Sequence, residues 1–171
     1  MLYKKDKLLV RQLKETDKEL LVKWLTDPTV LEFYEGRDRP HDLQMVNDHF
    51  YERDSQVMAC IVEFDGSPIG YIQYYPIDEE EKETYGYKGA LENIFGTDQF
   101  IGEASYWNKG IGKLLISSMI DYLIAAKKAT RIVMDPQCWN TRAIACYEKC
   151  GLKKVKYLPK HEKHEGKLRD C

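Results

Sequence analysis

Apolar and polar positions alternate enough from Leu8 to Leu13 to predict a first strand. The period then lengthens. Thr16 followed three residues later by Glu19 has the pattern of a capping box, and Leu20, Leu21, Trp24 and Leu25 continue it as a helix that Asp27-Pro28 stops. Leu43, Val46 and Phe50 share one side of a second helical stretch over roughly 41–53. Val57 to Phe64 and Ile69 to Tyr75 read as strands either side of Asp65-Gly66, a hairpin with a loop somewhat longer than the tightest kind. The stretch 78–97 has weak periodicity and is expected to be a long loop or irregular hairpin.

Gln99 to Gly102 reads as a short strand, and beyond a glycine loop the positions Leu114, Leu115, Met119, Tyr122 and Leu123 follow helical spacing. Arg131 to Met134 is a buried strand stopped by Asp135-Pro136. Asn140 opens another helix that ends at Gly151, and Leu152 to Leu158 predicts one more strand. The later half therefore alternates strand and helix, whereas the early hairpin is antiparallel. The expected class is α/β: one domain over 1–171, a mixed central sheet flanked by helices.

Composition narrows the function classes. The 171 residues are 43% hydrophobic and 32% charged with a net charge of -2, so a broad basic face for nucleic acid is not expected. The N-terminal apolar runs are too short for a signal peptide, and nothing approaches a membrane span. Cysteines 60, 138, 146, 150 and 171 are odd in number and form no CxxC pair, which suits free thiols in a reducing cytoplasm. Charge is uneven along the chain. Asp78, Glu79, Glu80, Glu81, Glu83, Glu92, Asp98 and Glu103 face only Lys82 and Lys88 in the same stretch. A solvated acidic loop and an electrostatic funnel for a cationic partner both account for that run.

The stretch Trp107-Asn-Lys-Gly-Ile-Gly-Lys-Leu-Leu115 joins a predicted strand to a predicted helix. Such a loop offers unpaired backbone N–H groups to an anion, and glycine clears the approach. It is not a P-loop: Leu114 follows Gly112-Lys113, and Trp107 stands where the first glycine is needed. It is not a dinucleotide fingerprint either, because Leu115 occupies the third glycine position. Taken alone, the two glycines are equally the mark of a tight turn.

With Asn140-Thr-Arg-Ala-Ile-Ala-Cys-Tyr147-Glu-Lys-Cys-Gly-Leu152 about 30 residues downstream, the chain resembles the GNAT family of acetyl-CoA-dependent N-acetyltransferases. The resemblance implies parallel central strands that splay apart and admit the cofactor's pantetheine arm. It places Lys109, Gly110, Ile111, Gly112 and Lys113 at the pyrophosphate, and Phe100, Ile101 and Gly102 beside the pantetheine. Asn140, Ala143 and Tyr147 then line the cofactor from the helix side, with Tyr147 near the thioester sulfur as a proton donor. Trp107 departs from the Gln or Arg usual at its position. A plain amphipathic helix is the competing reading of the Asn140 segment.

Four further segments, KWLTDPTVLEFYEGRD, GTDQFIGEASYWNKGIG, DPQCWNTRAIACYEKCGL and LPKHEKHEGKLRDC, resemble the aminoglycoside 6′-N-acetyltransferases, including the acetyltransferase half of bifunctional resistance enzymes. That likeness implies a polycationic aminoglycoside as acceptor and Asp98 as the carboxylate that holds the ammonium and takes its proton. It puts Trp24, Glu32, Tyr34 and Asp135 at the substrate. Three have a structural rival: Asp98 as a turn or capping residue, Asp135 as an Asp-Pro strand stop, Trp24 as core.

Direct attack in a ternary complex is expected, since no histidine neighbours Cys138, Cys146 or Cys150 in sequence to activate a thiol. His161, His164 and Cys171 make no complete four-ligand set, so no metal is expected and 159–171 reads as a solvated tail. No nucleic-acid or membrane partner is expected, and the chain is a monomer or homodimer. The resemblance also implies a final strand beyond Cys171, whose absence would leave a sheet edge open. An acetyltransferase of another amine (a polyamine or a peptide) and a noncatalytic acetyl-CoA sensor are the alternative functions.

Overall fold

Six strands form one sheet in chain order: β1 (Tyr3–Lys5), β2 (Leu8–Gln12), β3 (Met58–Phe64), β4 (Ser67–Pro76), β5 (Ile94–Ile101) and β6 (Arg131–Val133). Neighbours are antiparallel up to β5, and β5 and β6 are parallel. The computed structural model describes residues 1–53 and 56–171. The helices are α1 (Lys18–Trp24), α2 (Pro28–Leu31), α3 (Leu43–Val46), α4 (Glu79–Tyr85), α5 (Ile111–Lys127) and α6 (Thr141–Lys149). Strands β7 (Glu162–His164) and β8 (Lys167–Arg169) make a separate hairpin. No helix among the described residues is long and apolar enough to cross a membrane.

Strand alternation divides the core between the two faces of the sheet. On one face Leu8, Val10, Val62, Ile72 and Tyr74 pack against Leu115, Met119 and Leu123 of α5. On the other, Ile61, Tyr71 and Phe100 meet Leu21, Trp24, Leu25, Val30, Leu31, Val46 and Phe50 from α1, α2 and α3. Trp24 is only 1% exposed and packs on Gly102 so closely that a Cβ there would overlap its indole ring.

Several local expectations are corrected. Thr16 and Glu19 do not cap α1. The Asp17 carboxylate accepts from Lys14 N at 2.7 Å and pairs with Arg11 through both oxygens, at 2.8 and 2.9 Å, organising a 3-10 turn before the helix. Asp27 opens α2 rather than ending α1: its side chain accepts from Thr29 N, and Pro28 takes the first helical position where no N–H is needed. Helix α3 passes into a π-helical turn over Asn47–Tyr51, and Leu43 is exposed while Val46 and Phe50 are buried. The β3–β4 hairpin is the tightest kind, because Asp65 and Gly66 both have positive φ and Phe64 pairs with Ser67. The stretch 78–97 holds α4, capped by Asp78 and closed by left-handed Gly86, and the start of β5.

Two regions matter for the site. Strands β5 and β6 pair only through Ile94, Phe95 and Gly96, so the rest of β5 runs on beside an opening. The expected strand over Leu152–Leu158 is not formed. A strand needs a neighbouring ladder, and among the described residues of that segment only Leu158 has one, exchanging two main-chain bonds with Cys171. Between this segment and β6 lies a cleft of about 910 Å³ lined by residues such as Ile124, Ile132, Ile144 and Val155.

Candidate active site on the two faces of strand five

The site is organised by β5, whose successive side chains point to opposite faces. Asp98 and Phe100 face the α1–α3 side, and Gln99 faces α6. Asp98 lies directly across from Gln73 in the β4–β5 register, and Gln73 Nε2 donates to Asp98 Oδ2 at 2.9 Å. Gln99 Nε2 donates to the Tyr147 hydroxyl at 2.7 Å. Since Tyr147 accepts that bond, its own proton stays free for another acceptor.

Asp98 lines a cavity of about 640 Å³ with Glu35, Glu81, Asp135 and Glu162, while among the described residues Arg39 and Lys163 are its only lining Arg or Lys. Burial pushes the Asp98 carboxyl up to about 6; Asp135 and Glu162 add to the rise, and donors from Gln73 and Tyr75 oppose it. Burial and neighbouring acids likewise raise Glu81 and Glu162. Burial lifts Tyr147 to about 12, so it is a protonated acid at neutral pH. The cavity therefore favours a ligand with several positive charges, beside a carboxylate that titrates near neutrality.

Behind Asp98 lies the opening between β5 and β6. Gly102 N is committed to Ile69 O at 2.7 Å, and antiparallel alternation turns Phe100 N–H toward β4 as well. The expectation that Phe100, Ile101 and Gly102 all present main-chain donors is thus corrected: the N–H groups turned the other way are those of Gln99 and Ile101. Two buried acceptors on this side, Thr97 Oγ1 and Gln99 Oε1, lack a partner among the described residues. At the end of the opening, Gly110 caps α5 with φ +79°, and a Cβ there would meet nothing within 4 Å. At Gly112 it would meet only Cys146 Sγ at 3.7 Å. Main-chain donors, orphaned acceptors and an open helix N-terminus suit an extended amide-bearing chain that ends in phosphate. Lys109 and Lys113 are exposed on either side of the glycines.

The sequence-predicted residues fare unequally. Asp98, Tyr34, Asp135, Asn140, Ala143 and Tyr147 all line the cavity. Asn140 is also the cap of α6, accepting from Ala143 N at 3.3 Å. Asp135 is engaged by His161 Nε2 at 2.9 Å. Trp24 is core: it stacks edge-on against Phe100, and its Nε1 donates to Glu103 at 3.2 Å. Glu32 ends α2 and does not line the cavity, whereas Glu35 does. Trp107 braces the glycine loop, donating from Nε1 to Ile101 O at 2.9 Å beneath the Arg142 guanidinium.

Of the eight acids in the run 78–103, only Glu81 and Asp98 line the cavity. Asp78 caps a helix, while Glu79, Glu83, Glu92 and Glu103 pair with Lys82, Lys88, Arg131 and Lys23. Cys146 is buried toward the thiol form, and the nearest aid to ionisation is lysine, not histidine.

The tail is mostly exposed but not free: it folds into a hairpin. The β7–β8 hairpin turns at Glu165-Gly166, both with positive φ, and forms a wall of the cavity. His164 is buried against Trp139, and Arg37 pairs with Glu165. Sequence reasoning missed Gln73, Gln99 and Glu162. The one available signal was a lone glutamine in the apolar run Ile69–Tyr75.

A family model described as an acetyltransferase (GNAT) domain matches residues 14–159. An aminoglycoside N(6')-acetyltransferase type 1 of Klebsiella pneumoniae is 28% identical over 152 residues, 87% of this chain and 75% of that protein. A solved structure of AAC(6')-Ib with ribostamycin and coenzyme A superposes with a TM-score of 0.71 at 28% identity, over 90% of this chain and 87% of the other. A spermidine N-acetyltransferase from Vibrio cholerae, solved with CoA and spermine, reaches a TM-score of 0.75 at 17% identity over 97% and 92%, a likeness of fold alone. Sheet, splay and family model agree: the chain belongs to the GNAT acetyltransferase family.

Proposed function

We propose that the chain is an aminoglycoside 6′-N-acetyltransferase that confers resistance by direct attack of the amine in a ternary complex. The observation that carries this reading is the acid-lined cavity meeting the β5–β6 opening at Asp98. The similarity to an aminoglycoside N(6')-acetyltransferase over 87% of the chain supports the same acceptor. Acetyl-CoA, when bound, supplies the activated acetyl thioester. Gly110, Ile111 and Gly112 would hold its phosphates through main-chain N–H groups, with Lys109 and Lys113 adding charge.

The chain's own residues divide the remaining work. Glu35, Glu81, Asp135 and Glu162 attract and orient a polycationic amine, and Tyr34 closes one side. The Asp98 carboxylate holds one ammonium and takes its proton at a carboxylate oxygen, which leaves the nitrogen lone pair free. N–H groups of Gln99 and Ile101 face the opening as donors to a developing negative oxygen. Tyr147 keeps a proton at its hydroxyl for the departing sulfur. A thiolate leaves well unaided, so that contribution is modest.

A thiol-release assay with acetyl-CoA and kanamycin tests the reading, with spermidine as comparator because the same charges suit a polyamine. Turnover of kanamycin with acetylation at the 6′-amine is expected. Turnover of spermidine alone would reassign the acceptor, and turnover of neither amine would favour a binding domain.

A further inference from the structure

The Asp98 carboxylate is the end of a side-chain chain that leaves the cavity. Gln73 is buried, and its Oε1 receives two donors, the Tyr71 hydroxyl at 2.6 Å and Arg53 Nη1 at 2.9 Å. Its Nε2 gives a hydrogen to Asp98 Oδ2 at 2.9 Å. An amide can turn over and exchange oxygen for nitrogen, so something must choose between the two orientations. Tyr71 cannot make the choice, because a hydroxyl rotates to donate or accept. Arg53 can. A guanidinium has five N–H donors and no acceptor, so a reversed amide would turn N–H toward N–H at Arg53 and carbonyl toward carboxylate at Asp98. Arg53 is itself kept in place by contacts with the Phe50 ring, at 6.0 Å, and the Tyr71 hydroxyl, at 3.4 Å. It does not line the cavity.

We infer that Arg53 is a positioning residue for the reaction: by holding Gln73 Oε1 it compels the Gln73 N–H to face Asp98 Oδ2, which orients the carboxylate for the substrate ammonium. The inference rests on the reading of Asp98 as the base. The other groups that face Asp98 are fixed by different elements: Asp135 after β6, Glu162 on β7, and the hydroxyls of Tyr34, Tyr75, Tyr85 and Tyr147. None of them touches Arg53 through a bond given above, so the hydrogen-bonded route from Arg53 to Asp98 runs through Gln73.

The test compares Arg53→Met and Arg53→Lys with the unaltered chain by two readouts. The first is the Asp98 titration followed by carbon-13 NMR of labelled aspartate, without substrate. The second is kcat/KM against pH with kanamycin. In Arg53→Met the amide is free to turn and accept from the protonated Asp98 carboxyl, which favours the neutral form. The Asp98 midpoint should rise by about one unit. kcat/KM should fall about threefold near pH 6.5 and approach a loss of about tenfold well below pH 6, recover at alkaline pH, and leave the KM for acetyl-CoA unchanged. Arg53→Lys, still a donor without an acceptor, should restore the midpoint. Where Arg53→Met does not fold, Arg53→Gln, which offers an acceptor as well as donors, should move the midpoint in the same direction.

An unmoved midpoint, or a loss of rate equal at every pH, overturns the inference. Outcomes for the two readings separate. A shifted midpoint in a chain that leaves kanamycin untouched supports the positioning role and removes the aminoglycoside. Normal kanamycin turnover in Arg53→Met with an unmoved midpoint removes the role and keeps the antibiotic.

Discussion

The two sides of β5 are built for recognition by different means. Toward the β5–β6 opening the chain offers mostly main chain: amides of Gln99 and Ile101, and a glycine-lined helix start at Gly110. Toward the cavity it offers side chains, and above all carboxylates from five separate segments. Main-chain recognition depends on the fold and tolerates many substitutions. Side-chain recognition depends on each residue, and a single exchange can alter it. Within one GNAT domain, then, the donor side is conservative by construction and the acceptor side is adjustable.

Asp98→Asn should break this contrast most severely. Turnover should drop by about 10²–10⁴-fold, the range for loss of a general base, while acetyl-CoA binding measured by calorimetry is retained. In the unaltered chain kcat/KM should decline with unit slope as pH falls below about 6, because Asp98 must be ionised to take a proton. Stability has the opposite sign. The folded carboxyl binds its proton more tightly than the ordinary value of 3.8 would allow, so Asp98's contribution is greatest at low pH and is lost as pH rises through about 6. Asp98→Asn should therefore gain about 1–2 kcal/mol at pH 7.5, discounted for partial exposure to water, read as a melting temperature about 2–8 °C higher.

Tyr147→Phe comes next. A loss of about tenfold in kcat with little change in either KM is expected, smaller than for Asp98 because thiolate is a good leaving group. An unchanged kcat would take Tyr147 out of the chemistry and leave it as packing.

Asp135→Asn and Glu162→Gln sharpen the contrast on the acceptor side. Each should raise the KM for kanamycin by about three- to tenfold with kcat nearly constant, and added salt should reduce the difference. Equal effects on the KM for acetyl-CoA would show that the two sides are not separate.

The smallest effect belongs to the exposed lysines. Lys109→Ala or Lys113→Ala should raise the KM for acetyl-CoA only about two- to fivefold, because exposed charges are screened. A loss of a hundredfold from either would mean that the site depends on side chains after all.

What could be read from the sequence follows the range of the interactions. The glycine loop, the Asn140 cap and the Asp65-Gly66 turn are local, so their residues stand next to one another in the chain. Asp98 as a candidate was legible through its motif, but its partner was not: Gln73 lies 25 residues away, and only the β4–β5 register brings the two together. Helix α4 escaped for another reason. Its buried position is Lys82, whose Nζ reaches Glu79 and the Ala90 carbonyl, so no apolar period announces it. The β7–β8 hairpin did carry a turn signal in Glu165-Gly166, but short charged strands around it looked like a tail. Trp24 had two readings from spacing alone, and burial chose the core.

The contact between Trp24 and Gly102 has an evolutionary consequence. A Cβ at 102 would enter the volume of the indole, so the glycine is required by a residue 78 positions earlier rather than by its own backbone. The two sites form one unit of variation. A descendant that kept the tryptophan would be held to glycine at 102, and one that lost it would be released to gain a side chain at the end of β5. Among diverging copies of this chain, 24 and 102 should change together, and the corner where α1 meets the end of β5 would move with them.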